Sequence, residues 1–309
     1  MDPLSNVLSL LNVESALPLR FEAGGSWAMT FDGYPHVKCG AVLAGSCWIA
    51  VGDLAPVLVE AGDCYLINGG APYRMFSDPL VEPVHASVAF RETVDAVLRW
   101  GGDEVVIVGG PITLDTANAR LLLDVLPPFV HAPAESDQAE VLQAALRLLA
   151  RENAAPGLGS EFMTDRVAQI IFIQILRAHA RAASGEGRAP GGWLSALMDP
   201  QIGAALRLMH QDNGRRWTVA ELAAEVGMSR SSFAERFRSA VGSAPLDYLL
   251  RWRMHSAGQD LRATGRTISA VAAAWGYGSE SAFSNAFKRV MGVSPRAYRA
   301  GRGAAQAAR

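Results

Sequence analysis

Two short stretches near the C-terminal end carry side chains that can read or grip a nucleic acid, spaced to share one face of a helix. In the first, Arg230, Ser231, Ala234, Glu235 and Arg238 lie away from a seam made by Phe233 and Phe237. In the second, Ser281, Ser284, Asn285, Lys288 and Arg289 lie away from Phe283 and Phe287. Residues three and four apart are neighbours on a helix, so each set gathers on one surface while its phenylalanine pair faces inward. The outward sets have the chemistry of contacts to base edges and phosphates. An amide such as Asn285 can bond adenine through two hydrogen bonds, and a carboxylate such as Glu235 can accept from a cytosine amine. The cations Arg238, Lys288 and Arg289 suit phosphate oxygens, contacts that position a protein without specifying a sequence. One such stretch alone also fits an ordinary buried helical hairpin.

The two stretches, however, are copies of one unit. With Ser229 aligned to Ser279, fifty positions on, Phe233 falls on Phe283, Phe237 on Phe287, Gly242 on Gly292, Pro245 on Pro295 and Tyr248 on Tyr298. Upstream the offset is forty-nine, pairing Leu222 with Val271, Ala223 with Ala272 and Gly227 with Gly276, so Gly278 is one extra residue in the second turn. In each copy a short helix with a small residue for close packing runs into a glycine free to take positive φ. A serine then caps the next helix by accepting from an early N–H. That order is the helix-turn-helix, whose second helix enters a DNA major groove. The units span 218–241 and 267–290. Between them, Pro245 to Ala263 predicts a helix of roughly 27 Å at 1.5 Å per residue. One DNA turn is about 34 Å, so both second helices can reach successive major grooves.

This block resembles the DNA-binding domain of AraC/XylS-type bacterial transcription regulators. The resemblance is carried by Gly227-Met-Ser-Arg-Ser-Ser-Phe233, by the long helix opening Pro245-Leu-Asp-Tyr-Leu-Leu-Arg-Trp-Arg-Met254, by Gly276-Tyr-Gly-Ser-Glu-Ser-Ala-Phe283, and by Gly292-Val-Ser-Pro295-Arg-Ala-Tyr298. It covers about the last hundred residues. It implies base-reading positions at Ser231, Ala234 and Glu235 in the first unit and at Ser281, Ser284 and Asn285 in the second. Ser231 and Ala234 are shorter than the side chains often found there. Arg238, Lys288, Arg289, Arg296 and Arg299 are the expected phosphate contacts. The implied partners are double-stranded promoter DNA and RNA polymerase.

Charge agrees with that division. The 309-residue chain has a net charge of −2, but from Met198 onward 16 Lys and Arg face 8 Asp and Glu, against 12 and 22 before it. The basic end suits a polyanion. No run reaches the eighteen or so apolar residues of a membrane helix. The opening Met1-Asp-Pro-Leu-Ser-Asn lacks a basic signal-peptide n-region. Cys39, Cys47 and Cys64 form neither a disulfide framework nor a paired CxxC, so a cytoplasmic protein with reduced thiols is expected.

From about Ser15 to Ile112 the sequence reads as short strands broken by Gly, Pro, Asn and Asp, the pattern of a sandwich or barrel. The order Pro35-His36-Val, Gly45-Ser-Cys-Trp48, Glu60-Ala-Gly62-Asp63, Pro72-Tyr73 and Leu126-Pro-Pro128 is similar to the cupin-type sensor domain of one AraC subfamily. Metal-binding cupins hold their ion with a His-x-His, a Glu and a later His. Here Lys38 and Tyr73 occupy two of those places, no Glu follows His36 at the right distance, and no metal or cofactor is expected. A barrel interior that holds an organic effector is expected instead, with His36, Trp48, Tyr73 and Arg74 as candidate contacts beside Trp27 and Tyr65. Redox sensing by one of the three cysteines is a second route of control. The rival reading is a cupin metalloenzyme fused to a DNA-binding module, which would need the missing metal ligands. A DNA-repair methyl acceptor with the same DNA-binding domain would need a four-cysteine zinc module.

Glu140 to Leu149 and Thr164 to Ala178 carry apolar residues at helical spacing, and the related subfamily implies that helices here pair two subunits into a homodimer. Gly, Ser and Pro between Ser184 and Gly192 mark a flexible linker. The expected architecture is therefore α+β. A cupin-like β-barrel with following helices fills 1–183, its dimerisation segment at about 135–183. A linker at 184–197 leads to an all-α double helix-turn-helix domain at 198–309. The expected function is sequence-specific transcription regulation under a small-molecule or redox signal, with no enzymatic activity.

Overall fold

A computed structural model describes residues 2–11, 13–15, 19–33, 37–89, 97–115, 118–123, 126–135, 139–182 and 192–301. The chain forms two compact units, one of 13–114 with 126–182, the other of 1–12, 115–125 and 183–309.

Among the described residues, twelve strands and three helices build the first unit. The strands are β1 (Glu14–Ser15), β2 (Leu19–Ala23), β3 (Ala28–Phe31), β4 (Val37–Ala44), β5 (Ser46–Val51), β6 (Val57–Glu60), β7 (Cys64–Ile67), β8 (Tyr73–Phe76), β9 (Val84–His85), β10 (Val97–Trp100), β11 (Val105–Thr113) and β12 (Phe129–Ala132). One sheet has the order β10-β2-β11-β4-β7-β12, with β1 paired to β11; the other runs β6-β5-β8-β3-β9. The expected closed barrel is thus corrected to two separate sheets, since no pairing among the described residues joins them. Short strands with alternating burial read the same in a sandwich and in a barrel, so the pattern alone does not decide closure. Phe21, Met29, Val42, Ile49, Val59, Met75 and Ile107 share one buried core. Within it Trp27 meets Phe21 edge-on at 5.0 Å. Strand alternation in β5 sends Cys47, Ile49 and Val51 inward and leaves Trp48 on the outer face.

Three helices complete this unit: α2 (Ala86–Ala89), α4 (Ala139–Ala154) and α5 (Ser160–Ala182). The last buries Val167, Ile171, Phe172, Ile175 and Leu176, packing on β1, β7, β12 and α4.

The second unit is helical: α1 (Pro3–Leu11), α3 (Arg120–Leu123), α6 (Gly192–Ala196), α7 (Pro200–Gln211), α8 (Val219–Glu225), α9 (Arg230–Val241), α10 (Pro245–Ala263), α11 (Ile268–Ala274), α12 (Glu280–Met291) and α13 (Pro295–Arg299). Of the expected linker, 184–191 lies outside the described residues. Its remainder is not linker but α6, with Trp193 and Leu194 buried against α9. Two segments of the first 183 residues also pack here. Helix α1 contacts α7 and α10, and Asp115 pairs with Arg262 at 2.9 Å.

The two copies fold alike. Thr218 accepts from Glu221 N in a capping box, and Thr267 accepts from Ala270 N. Gly227 and Gly276 turn the chain at φ 67° and 79°. Ser229 and Ser279 cap α9 and α12 by accepting from Ser232 N and Ala282 N. Gly242 and Gly292 end both helices in the left-handed region. One asymmetry is absent from the repeat itself. A Cβ on Gly227 would meet nothing within 4 Å, whereas one on Gly276 would come within 2.4 Å of the Gly214 carbonyl oxygen. Gly227→Ala should therefore cost about 1–2 kcal/mol, the penalty of left-handed backbone. Gly276→Ala should cost a further 1–3 kcal/mol or so for the clash. Urea unfolding of the two variants checks the order, and equal losses would refute it.

Candidate functional site

The inner seams match closely. Phe233 and Phe237 lie 5.6 Å apart, and Phe283 and Phe287 lie 5.5 Å apart, all four fully buried. Each pair meets a tyrosine edge-on, Tyr248 at 5.9 Å from Phe237 and Tyr298 at 5.3 Å from Phe287. Such edge contacts contribute about 0.5–1.5 kcal/mol each beyond the area buried. With both seams turned inward, the opposite faces are left to solvent. Arg230, Ser231, Glu235 and Arg238 are exposed on α9, with Ala234 half-buried between them. On α12, Ser281, Asn285, Lys288 and Arg289 are exposed and Ser284 is half-buried. Arg230, Arg238, Lys288 and Arg289 form no ion pair with another described residue. Arg236, by contrast, is committed to Asp199 at 2.6 Å and to Gln201 at 2.7 Å, which ties α9 to the start of α7. Arg299 departs from the expectation for it: its guanidinium donates to the carbonyls of Leu261 and Arg266, closing the end of α10.

Helix α10 carries both units. At 1.5 Å per residue its 19 residues span about 28 Å. Tyr248 meets Phe237 of α9 and Trp252 stacks on His210 of α7, while Met254, Ala257 and Leu261 join Val271, Phe283, Phe287 and Tyr298 in one core. Two histidines pack here, His210 buried on α7 and His255 half-buried on α10 itself. His210 stacks on Trp252 at 3.9 Å and its Nε2 lies 2.7 Å from the Tyr248 hydroxyl, which also accepts from Trp193 Nε1. His255 Nδ1 lies 2.7 Å from Asn118 Oδ1, an acceptor, so Nδ1 carries the proton. Asn118 in turn donates to the Leu10 carbonyl. Burial pulls His210 down to about 3 despite the opposing charge of Asp2. Burial, then the charge of Arg251, pulls His255 down to about 4.

In the sheet unit a cavity of about 240 Å³ lies among Phe21, Phe31, Tyr65, Tyr73, Leu98 and Ile107. Of the three expected contacts among the described residues, Tyr73 is found in its wall. Trp48 is 37 % exposed on the outer face of β5. Arg74, one residue past Tyr73, faces out as well, donating to the Pro79 carbonyl and lying over the Phe76 ring. His36 is outside the described residues. Tyr65 does line the cavity, and Trp27 is buried core. Lys38, which stands in the sequence as a replaced metal ligand, also lines the cavity. Lys38 Nζ donates to the Tyr73 hydroxyl at 3.1 Å and lies 4.8 Å from that ring's centre. A lone lysine inside the apolar run Val37–Ala44 is the signal that marks it. Burial lowers its pKa, opposed by Asp32. The three thiols are buried, Cys39 and Cys47 pushed up to about 12 and Cys64 well above its ordinary value.

Comparison with known proteins gives two family matches. A cupin family model matches residues 2–181, and a helix-turn-helix domain model matches 222–301. An AraC-like transcription regulator of Streptomyces lividans is 42 % identical over 97 % of this chain and 98 % of its own. Another, from Streptomyces antibioticus, is 40 % identical over the same shares. The HTH-type transcriptional regulator AlkR of Acinetobacter baylyi is 30 % identical over 97 % of this chain and 99 % of its own. The chain belongs to the AraC family of transcription regulators. As a member of that family it binds DNA through its helix-turn-helix domain and is not an enzyme. No described helix is long and apolar enough to cross a membrane.

The two histidines should make the stability of the helical unit depend on acid. Both have folded-state pKa values below the ordinary 6.5. Below pH 6.5 the unfolded chain therefore binds more protons, and stability falls with pH until about 4 for His255 and about 3 for His210. Between pH 7 and 4 the loss should be on the order of a few kcal/mol, since each tenfold change in proton affinity is worth about 1.4 kcal/mol. Denaturant midpoints across that range check it. Wild type should fall steeply and His255→Gln less steeply; a midpoint that does not move would contradict the assignment.

Proposed function

We propose that this regulator reads promoter DNA mainly through α12, with α9 as a phosphate-weighted partner, under the control of a small molecule held in the sheet unit. The observation that carries the reading is the matched pair of recognition helices, each with its seam buried and its opposite face exposed. On α12, Asn285 has the bidentate geometry for adenine, with Ser281 and Ser284 beside it. On α9, Ser231 and Ala234 are too short to contribute much, leaving Glu235 as the base-edge acceptor. Arg230, Arg238, Lys288 and Arg289 are the phosphate contacts, together with exposed Arg296.

The control signal is an organic effector in the cavity beside Tyr73, in preference to oxidation of a thiol. A reactive cysteine needs a lowered pKa and access to solvent, and all three here are buried with raised values. A homodimer is supported by α4 and α5, where Val141, Leu148, Phe162, Met163 and Ile170 are exposed. Contact with RNA polymerase and action in the cytoplasm, where promoter DNA lies, complete the proposal.

Selection of preferred sites from randomised duplexes tests the assignment of roles. Asn285→Ala should cost about 1–3 kcal/mol on the preferred site and relax one base position. Lys288→Ala should weaken all sequences alike and reduce the dependence of log K on log salt by about 0.9. An unchanged sequence preference in Asn285→Ala would remove it as a base reader.

A further inference from the structure

Helix α10 sets how far apart the two helix-turn-helix units lie, but a single rod does not by itself set how one is rotated against the other. Its hold on them is uneven, for α10 packs more extensively on α11, α12 and α13 than on α9. A second connection lies off its axis. The turn of residues 213–216 leads into α8 of the first unit and touches the turn of the second. Trp217 ties it to the first unit: the indole is buried, donates from Nε1 to the Asp212 carbonyl at 3.0 Å and carries the Arg215 guanidinium 3.8 Å from its ring centre. On the other side two glycines let the backbones meet. A Cβ on Gly276 would overlap the Gly214 carbonyl oxygen, and one on Gly214 would come within 3.2 Å of the Ala274 carbonyl oxygen. Arg216 Nε donates to the Gly276 carbonyl at 3.4 Å.

Arg253 grips this turn from the middle of α10. Its Nε donates to the Asn213 carbonyl and its Nη2 to the Arg215 carbonyl, so one planar guanidinium spans the turn. Burial pulls the Arg253 pKa down, opposed by Tyr277 of the second turn and by Asp212 at the end of α7. Tyr277 in turn meets Phe283 of α12 edge-on at 5.5 Å. The guanidinium thus stands between the segment that opens α8 and a residue that seats α12.

We infer that the turn of residues 213–216 is a second bridge between the two helix-turn-helix units, one that sets the rotation of α9 against α12 and hence the spacing of the two base sets the protein accepts, with Arg253 as its positioning residue. This rests on the reading that α9 and α12 engage DNA together. With one attachment along α10 and one beside it, rotation of either unit would pull the Asn213 and Arg215 carbonyls from Arg253 or part Gly214 from Gly276. Close-packed contacts of this kind transmit a displacement rather than absorb it. Arg253 touches no base in this scheme; it acts on recognition through the turn it holds.

The test is titration of the full-length protein onto its selected duplex and onto two derivatives, with one base pair inserted or deleted between the two base sets. Each change turns one set against the other by about 35°. Wild type should bind both derivatives at least about tenfold more weakly, a loss like that of a base contact, and Arg253→Gln only about threefold more weakly or less. The ratio is the readout, because lost stability weakens all three duplexes alike. Arg216 is exposed, so Arg216→Ala spares the core, and it should narrow the ratio in the same direction. A wild-type ratio in Arg253→Gln, or in Arg216→Ala should Arg253→Gln not fold, overturns the inference. The turn then only stabilises the domain, and the reading of two engaged helices stands. If wild type itself binds the three duplexes alike, α9 and α12 do not engage DNA together, and that reading falls along with the inference.

Discussion

One helix fixes the distance between two DNA-reading surfaces, and the DNA-binding unit is organised around that constraint. Helix α10 is engaged at both ends: Tyr248 meets Phe237 of α9, and Met254, Ala257 and Leu261 share the core of the second helix-turn-helix. A helix packed this way cannot bend without opening one core or the other, because close-packed interiors transmit displacement rather than absorb it. Gly258 shows how tightly it is held. A Cβ there would sit 3.0 Å from the Tyr298 ring, so the glycine lets α13 approach at the cost of a residue that weakens helices. The recognition helices α9 and α12 are thereby carried on a rigid spacer of nearly one DNA turn.

The sheet unit solves a different problem. It keeps a cavity beside its core, with Tyr65, Tyr73 and Lys38 in the wall. The thiols nearby behave as small apolar residues: each is buried, and burial pushes each pKa up. A cupin model covers the sheets and a helix-turn-helix model covers α9 to α13.

Much of the reading part was legible in the sequence, because its determinants are local. Serine caps, glycine turns and phenylalanine pairs four apart act within a few residues, and the duplication repeated each signal in register. What escaped depends on contacts across the chain. Nothing local marks α1 and Asp115 as neighbours of α7 and α10, since their partners lie more than a hundred residues away. The role of Arg299 at the end of α10 is hidden for the same reason. In the sheets, face is set by a period of two, so adjacent residues have opposite fates. Tyr73 lines the cavity and Arg74 does not; Cys47 and Ile49 are core and Trp48 between them is outside. The alternation Cys47, Ile49, Val51 was available to settle Trp48, whereas closure of the sheets had no local signature.

The central claim is that both recognition helices engage DNA at once, one turn apart, on a single face. Hydroxyl-radical footprinting of the full-length protein on its selected site measures this directly. Each bound protomer should protect two windows centred about 10 base pairs apart on the same face of the duplex. A single protected window per protomer, or two windows on opposite faces, would contradict the account.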